Sequence, residues 1–384
     1  MRPVLPAEPQ RILLIRLRAV GDVVLVTPLL RALRRRFPGA RIDALADPGP
    51  AAVLDGNPHL DHLLLSPRRG ASFSDQWRFL RKVRSIRYDW VLDLFGNPRS
   101  AWTALLSGAP LRAGYAYRGR RHAFTHAIPK NVVRKYQVLV NLGLIESLGV
   151  PGDGLDTEMV LEGAERRWAG ETLEGLGVPP GRQRPLVALN PTGTWSAKKW
   201  PLTYWRELVG LLNEDPGTKP LVLWGPGDEP DVERIVDGLQ DKVVLAPRTD
   251  LRQLAALISG TDLLIGNDGA PQHIARALGV RTLTLHGPTW GISWCPPGDS
   301  RHCFLQHFLP CGPCDRTRCP HPPLPRSGGH AHKECMMKIP PSRVASVARG
   351  MLAVDACPGL TGSARGRGPD PGGMGRFGAG NAKT

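Results

Sequence analysis

The sequence predicts an α/β protein made of two similar, doubly wound domains with a cleft between them. Short apolar runs of strand length alternate with segments whose apolar residues recur at helical spacing, first over residues 11–165 and again over 185–354. A stretch dense in glycine and proline, residues 174–182, separates the two sets. The length of 384 residues also favours two domains over one. Because ligands of such folds bind where strands end and helices begin, we expect the chemistry at turns that face the cleft.

The first strand–turn–helix unit organises the N-terminal half. Ile12–Leu17 is a strand-length apolar run, a glycine turn follows, and apolar residues return at helical spacing from Val23 onward. Asp22 lies in the turn at the start of the helix, where the helix dipole stabilises a negative charge. Such a carboxylate can act as a general base, and it can equally be a helix cap. From these residues alone both interpretations stay open.

The element pattern divides the chain into five segments. The linker is rich in glycine and proline, and the C-terminal tail is rich in glycine, proline and arginine with few apolar residues, which is typical of disorder. The predicted segments are an N-terminal domain at 1–173, a linker at 174–184, a C-terminal domain at 185–341 that includes a Cys-rich loop at 303–335, a C-terminal helix at 342–354 and a disordered tail at 355–384.

The chain is strongly basic, with a net charge of +16 and a pI near 10.1. Nucleic acid, an anionic membrane surface or a phosphorylated substrate could each explain this charge. The sequence has no helix-turn-helix, zinc-finger or RNP signature, so we expect no nucleic-acid partner and favour an anionic membrane surface. It also has no apolar run long enough to span a membrane and no signal-peptide core at its start. We therefore expect a cytoplasmic protein.

A polar loop, residues 190–201, follows a predicted strand in the second half. It offers hydroxyls such as that of Thr194, backbone amides and the lysine pair Lys198 and Lys199. This set suits a pyrophosphate, whose charge needs neutralising. An ordinary polar loop with surface lysines explains the same residues, so the loop alone does not decide between the two.

Two further turns of the second half carry candidate ligand-binding residues. Gly266–His273 opens a helix, and small residues such as Gly269 let a ligand approach the free amides there. Asp268 in this turn can instead be an N-cap, and His273 a packed histidine. Glu229 follows a strand and a glycine turn, where an acid can bind ribose hydroxyls or simply occupy the first turn of a helix.

All seven cysteines lie after residue 290. Four of them, Cys311, Cys314, Cys319 and Cys335, have the spacing C-x2-C-x4-C-x15-C, which can form a tetrahedral zinc site. Reduced thiols in an ordered loop are the alternative, and both stay open. In either case we expect a structural role.

Five motifs occur in a specific order along the chain. They are R-L-x-x-x-G-D-V-V-L-x-T-P, K-x-W-P, W-G-x-G-x-E, G-N-D-x-x-P-x-H-I-A-x-A-L-G and H-G-P-T. On these motifs, residues 11–354 resemble glycosyltransferase family 9, the heptosyltransferases of lipopolysaccharide core synthesis. The resemblance implies a GT-B fold of two Rossmann-like domains facing a cleft, an acceptor held by the N-terminal domain and a nucleotide-sugar donor held by the C-terminal domain. It also implies an inverting reaction with no obligatory metal.

The resemblance also assigns roles to individual residues. It makes Asp22 the candidate base, and Lys198 a catalytic residue that faces the donor phosphates. The donor-binding set that it implies is Thr194 in the phosphate loop, Glu229 near the ribose, and Asp268, Gly269 and His273 in the donor loop. The family usually has Thr or Ser and then Gly after this aspartate, and Met before this histidine. Here Gly269, Ala270 and Gln272 stand at those positions, so a hydroxyl that could contact the donor phosphate is missing.

The expected function is transfer of a heptose-like sugar from a nucleotide diphosphate such as ADP-heptose to a lipopolysaccharide core or another lipid-linked glycan acceptor, at the inner membrane face. The alternative is a catalytically impaired nucleotide-sugar-binding protein, which the missing hydroxyl motivates. We expect no required cofactor, and a structural zinc ion is one of the two interpretations of the cysteine cluster.

Overall fold

The computed structural model describes residues 8–68, 70–117, 119–129, 135–214, 217–321 and 333–353. These residues form two six-stranded sheets in which every pair of neighbouring strands is parallel. The predicted fold class is therefore confirmed.

The described residues of the first half, up to residue 146, form six strands and six α-helices. The strands are β1 (Arg11–Ile15), β2 (Arg41–Ala46), β3 (His62–Leu65), β4 (Trp90–Asp93), β5 (Leu111–Tyr115) and β6 (His126–Ile128). The helices are α1 (Val20–Val24), α2 (Thr27–Arg36), α3 (Pro48–Ala51), α4 (Phe73–Ser85), α5 (Pro98–Ser107) and α6 (Gln137–Glu146).

The first sheet has the order β3-β2-β1-β4-β5-β6, which places β1 near its centre. Ile12 to Ile15 of β1 are almost completely buried, as expected for a parallel strand that is covered on both faces. Ile12 and Leu14 face one core while Leu13 and Ile15 face another, because successive side chains of a strand alternate between the two faces.

The described residues from 163 onward form six strands and eight α-helices, the first of which, α7, lies between the two halves. The strands are β7 (Leu186–Asn190), β8 (Lys219–Val222), β9 (Val244–Leu245), β10 (Leu263–Asn267), β11 (Arg281–His286) and β12 (His302–Gln306). The helices are α7 (Gly163–Gly175), α8 (Leu202–Glu214), α9 (Glu229–Val236), α10 (Leu251–Ser259), α11 (Ala270–Ala277), α12 (Gly291–Trp294), α13 (Glu334–Met337) and α14 (Pro341–Ala353).

The second sheet has the order β12-β11-β10-β7-β8-β9. Gly266 of β10 is paired with Asn190 of β7, so the polar loop after β7 and the turn after β10 leave the same edge of the sheet side by side. On one face of β7, Leu186 and Ala188 join the core that also contains Ile12 and Leu14. The two halves therefore share a continuous apolar core as well as a cleft.

Helix α7 joins the two halves. It packs on α10 of the second half through Leu173. Its last two residues overlap the predicted linker at 174–184; the domain boundaries themselves stay a prediction. Arg252 of α10 forms an ion pair with Glu165 of α7 at 2.6 Å and donates a hydrogen bond to the carbonyl of Ala52 in the first half at 3.2 Å. Arg252 thus links α7 to the backbone of the first half.

Several elements differ from those predicted. The sequence pattern did not predict α7, β6 or β12, and β12 occupies the first residues of the predicted Cys-rich loop at 303–335 because it pairs with β11. The final helix begins at Pro341, one residue before the predicted start. The predicted tail at 355–384 lies outside the described residues. Among the helices of the described residues, none is long and apolar enough to cross a membrane.

Candidate active site

Asn267, the last residue of β10, holds the two ligand-facing loops of the second half together. Its amide nitrogen donates to the carbonyl of Pro191 at 2.7 Å, and its amide oxygen accepts from the backbone N–H of Trp200 at 3.0 Å. Both ends of the polar loop after β7 are therefore tied to the residue just before Asp268. These two hydrogen bonds hold the loop beside the turn after β10, where Lys198 contacts Asp268.

Lys198 and Asp268 form a buried ion pair. The ammonium nitrogen lies 2.7 Å from the Oδ2 atom of Asp268, and the two side chains are 16% and 4% exposed. The same ammonium lies 4.2 Å from the ring centre of Trp195, which adds a cation–π contact. The two predicted site residues are thus brought together, and Asp268 holds Lys198 at the carboxyl edge of the sheet.

Both carboxylate oxygens of Asp268 are bonded to protein groups. Thr289 donates to Oδ2 and Gln272 donates to Oδ1, each at 2.7 Å. Burial alone would raise the pKa of Asp268, but the charges of His286 and Lys198 and the hydrogen bonds of Lys198 and Thr289 hold that pKa below its usual range. Asp268 is therefore placed to orient its neighbours, and Lys198 is the more accessible partner for a ligand.

The two histidines beside Asp268 are neutral at physiological pH. Burial, together with the charge of Arg276, lowers the pKa of His273 to about 3. Burial also lowers the pKa of His286 to about 4, although the charge of Asp268 acts in the opposite direction. Lys198 is consequently the cation that balances the buried carboxylate at neutral pH.

His273 lies where the two halves meet. A Cβ atom added to Gly21 of α1 would lie 2.5 Å from Cδ2 of the His273 ring, so only glycine fits there. The His273 ring also packs edge-on against the ring of Trp294, with the two ring centroids 5.9 Å apart. His273 is therefore a packed interface residue, and its predicted part in donor binding stays a prediction.

Asp22 follows Gly21 directly and so lies on the first half next to this contact. Its Oδ1 atom is 2.8 Å from a guanidinium nitrogen of Arg16, and its Oδ2 atom accepts from the backbone N–H of Ala19 at 3.2 Å. The second bond is a helix-capping contact, because Ala19 is the N-cap of α1. The side chain keeps 21% of its surface exposed, although its Oδ1 atom is buried. The geometry is compatible with both interpretations of Asp22.

The remaining predicted donor residues lie further out on the same edge. Thr194 is exposed in the loop after β7. Glu229 is half-buried at the first position of α9, where its carboxylate accepts from the backbone N–H of Gly227 at 2.7 Å. Lys199 reaches this helix through an ion pair with Asp231 at 2.9 Å. Lys199, which follows Lys198 in the chain, thus links the polar loop after β7 to α9.

Gly269 has an extended backbone conformation, with φ of −169° and ψ of −177°. A Cβ atom added there would make only ordinary contacts, the nearest at 3.7 Å. The structure therefore leaves room for the hydroxyl-bearing residue that the resemblance leads us to expect at this position.

A sequence model of glycosyltransferase family 9 (heptosyltransferase) matches residues 76–324, more than half of the chain. The chain belongs to glycosyltransferase family 9. It is similar to lipopolysaccharide heptosyltransferase 1 of Pseudomonas aeruginosa, at 29% identity over 89% of this chain and 98% of that protein. The match confirms the resemblance and makes this protein a glycosyltransferase.

Two solved structures show the same fold. The ADP-heptose lipopolysaccharide heptosyltransferase II of E. coli superposes with a TM-score of 0.71 at 20% identity, covering 89% of this chain and 98% of that one. An E. coli heptosyltransferase with ADP-2-deoxy-2-fluoro heptose superposes with a TM-score of 0.66 at 20% identity, covering 89% and 99%. The family 9 chain therefore has the GT-B arrangement.

The described residues of the Cys-rich loop in this family 9 protein contact the loop after β7 and the loop after β11. The backbone carbonyl of Thr317 accepts from the N–H of Ala197 at 3.2 Å, and Lys333 donates to the carbonyl of Lys199 at 2.9 Å. The N–H of Asp315 donates to the carbonyl of Pro288 at 2.8 Å. The cysteine segment thus supports the loops that carry Lys198 and Thr289.

The four predicted metal ligands line one cavity of about 440 Å³, together with Gly287 and Pro288. Burial first, and then the neighbouring thiols, raise the pKa of Cys335 to about 11. Within the described part of the chain, no group of three or more His, Cys, Asp or Glu side chains has the geometry to hold a metal ion. The thiols therefore converge on one cavity without yet forming a coordination sphere.

Sequence reasoning missed the residues that position this family 9 site. Arg16, Asn267 and Thr289 each lie inside a motif that had been recognised, but had no assigned role. Gln272 links Asp268 to Arg276, whose guanidinium donates to the Gln272 side-chain oxygen at 3.3 Å. The available signal for Arg16, Asn267 and Gln272 was their nearness in sequence to Asp22 or Asp268, whereas Thr289 is brought to Asp268 only by the fold.

Proposed function

We propose that this glycosyltransferase moves a heptose-like sugar from a nucleotide diphosphate, such as ADP-heptose, to a lipid-linked glycan of the lipopolysaccharide core, with inversion at the anomeric carbon. The observation that carries the proposal is the pairing of Lys198 with Asp268 on the second half, next to the contact between Gly21 and His273 that brings Asp22 across from it. The E. coli relative with ADP-2-deoxy-2-fluoro heptose supports the choice of donor.

Lys198 and the start of α11 are the groups that we assign to the leaving diphosphate. When the bond between the anomeric carbon and the phosphate oxygen breaks, the electron pair leaves with the nucleotide diphosphate, which gains negative charge. A fixed ammonium group stabilises that charge because the site need not reorganise during the reaction. Asp268 and Trp195 hold the ammonium in place.

Asp22 is the group that we assign to the acceptor. The acceptor hydroxyl attacks the anomeric carbon from the face opposite the diphosphate, and its proton passes to a carboxylate oxygen of Asp22. Attack from the opposite face inverts the configuration. Arg16 orients the carboxylate through the ion pair at Oδ1. This mechanism needs no metal, and we place the reaction at the cytoplasmic face of an anionic membrane.

The second candidate function is nucleotide-sugar binding without turnover. Gly269 favours it, since the expected hydroxyl side chain is missing although the backbone and the surrounding space would accept one. A donor held without that contact could bind weakly or in an unproductive position.

The test of the proposed function is a thermal-shift screen of nucleotide sugars, followed by a transfer assay on a lipopolysaccharide core acceptor. ADP-heptose should raise the melting temperature more than UDP- or GDP-sugars, because a ligand that binds only the folded state stabilises it. Mass spectrometry should then show one added sugar, with the inverted anomer by NMR. Retention of configuration would refute the mechanism. Binding with no transfer, relieved in Gly269→Thr, would favour the second candidate.

We also propose that Cys311, Cys314, Cys319 and Cys335 hold one structural zinc ion. Four thiols that line one cavity suit a divalent cation, because thiolates crowded together repel one another and zinc binds four of them tetrahedrally. We assign a structural role to the zinc ion, because the cysteine segment contacts the loop that carries Lys198.

Purified full-length protein should contain about one zinc per chain by elemental analysis. Removal of the metal with a chelator should lower the melting temperature and weaken donor binding, because Thr317 and Lys333 would no longer be held against the donor loops. Cys314→Ser should lose the metal, whereas Cys295→Ser, outside the cluster, should keep it. Metal-free protein with unchanged stability and donor affinity would contradict the proposal.

A further inference from the structure

Helix α4 of the first half exposes large aromatic side chains. Phe73 is 84% exposed and Trp77, one turn later on the same face, is 45% exposed. Trp102 on the neighbouring helix α5 is 59% exposed. Isolated exposed apolar residues are normal, but aromatic residues on two helices that pack side by side need an explanation.

The same segment is strongly basic. Residues 68–87 contain seven arginine or lysine residues and one acid, Asp75, which gives a net charge of +6. Arg81 lies over the ring of Trp77 at 5.5 Å, while Arg78 forms an exposed ion pair with Asp75 at 2.9 Å. Cations and aromatic rings are thus mixed on one exposed surface.

The helix is anchored at its C-terminal end. Val83 is completely buried in the core of the first half, and Arg84 donates to the carbonyl of Leu106 on α5 at 3.2 Å. The exposed aromatic residues therefore do not result from a loose helix. The contacts of Val83 and Arg84 fix the position of the helix that carries them.

The surface lies at the rim of the cleft. Helix α4 begins shortly after β3, whose carboxyl end belongs to the same edge of the sheet as the turn that carries Asp22. Ser66, just after β3, bonds to Asp47 at the end of β2 and to Arg99 at the start of α5. These bonds hold the end of β3, from which the chain leads to α4, at the edge of the sheet that also carries Asp22.

We infer that α4 and Trp102 form a membrane-docking surface that lies against an anionic bilayer, with the aromatic rings in the headgroup region and the basic side chains on the lipid phosphates. A helix with aromatic residues flanked by arginine and lysine is typical of interfacial binding, and each cation near an anionic leaflet adds to the attraction. A second copy of this chain is a poorer partner for this surface, because two copies of segment 68–87, each with a net charge of +6, would repel each other.

The inference uses the proposed function only in its choice of a membrane as partner, and vesicle flotation without donor or acceptor tests it separately. Full-length protein should bind vesicles of phosphatidylcholine with about 30% phosphatidylglycerol, and bind pure phosphatidylcholine vesicles at least about tenfold more weakly. The double variant Phe73→Ala/Trp77→Ala and the double variant Arg81→Glu/Lys82→Glu should each weaken binding to the anionic vesicles by about tenfold or more.

Two controls match these variants. Arg166→Glu/Arg167→Glu reverses two exposed adjacent charges on α7, and Phe308→Ala removes a side chain that is 54% exposed on the second half. Both should bind vesicles as the wild type does, and all variants should keep the melting temperature and the thermal shift with ADP. Unchanged vesicle binding by both α4 variants, or equal binding to both kinds of vesicle, would overturn the inference. A dimer in sedimentation that Trp77→Ala dissociates would assign the surface to self-association instead.

Discussion

Replacing Asp22 with asparagine should lower turnover by about 10²-fold or more while leaving the affinity for the nucleotide-sugar donor nearly unchanged. Asparagine keeps the size of the side chain and an oxygen that can accept from the N–H of Ala19, but it cannot take up the acceptor proton. The donor is assigned to the second half, so its binding should not depend on this carboxylate. Turnover with saturating substrates and donor affinity by calorimetry measure the two effects.

A matched control separates proton transfer from the ion pair. Arg16→Met removes the cation that lies 2.8 Å from Asp22 but leaves the carboxylate in place, so it should lower turnover less than Asp22→Asn does. Comparable melting temperatures in the two variants would exclude a folding defect. Near-normal turnover of Asp22→Asn would mean that Asp22 is only a helix-capping residue and that the base lies elsewhere.

Replacing Asp268 with alanine should lower the free energy of unfolding by about 3–5 kcal/mol, as expected when one partner of a buried ion pair is removed. The ammonium of Lys198 would remain without its carboxylate, and the hydrogen-bonding groups of Thr289 and Gln272 would lose their acceptor. Donor binding should weaken as well, because Lys198 is no longer held. Denaturant unfolding and calorimetry measure the two losses.

The double variant Lys198→Met/Asp268→Ala tests whether the pair is the cause. If the two side chains stabilise each other, the double variant should lose less than the sum of the single losses, since no uncompensated buried charge remains. Additive losses would show that the two residues act independently, and Asp268 would then be a helix-start residue with no influence on Lys198.

The stability that Asp268 contributes should also depend on pH. Its pKa is lower in the folded protein than its ordinary value, so the contribution is present above that ordinary value of about 3.9 and is lost as the pH falls through the folded pKa. The stability difference between wild type and Asp268→Ala should therefore be constant across neutral pH and shrink only in strong acid. A difference that shrinks already between about pH 7 and pH 5 would point to a histidine instead.

The part of the site that could be predicted follows from local pattern. Strand, turn and helix succeed one another clearly from Arg11 to Arg36, and parallel strands send their following turns to one edge, so Asp22, Lys198 and Asp268 could be found. Contacts between distant segments could not. The bond from Asn267 to Pro191 depends on the pairing of β10 with β7, which no single segment encodes.

Helix α7 shows a different limit. It contains three glycines and buries only Ala169 and Leu173, so its apolar periodicity is weak and its helix propensity is low. Its stability comes from packing on α10 and from the ion pair of Glu165 with Arg252, and neither partner is visible from the segment itself. Such an element becomes recognisable only once the second sheet is in place.

The contact between Gly21 and His273 couples the sequence changes that are tolerated at two positions far apart in the chain. Because Gly21 has only a hydrogen atom as its side chain, the turn that carries Asp22 can approach α11, so the separation of these two elements depends on the residues at both positions. A substitution that introduces a larger residue at position 21 would need a smaller residue at position 273 at the same time, because the first substitution alone would give an inactive protein. The two positions are therefore expected to change together or not at all as the family diverges.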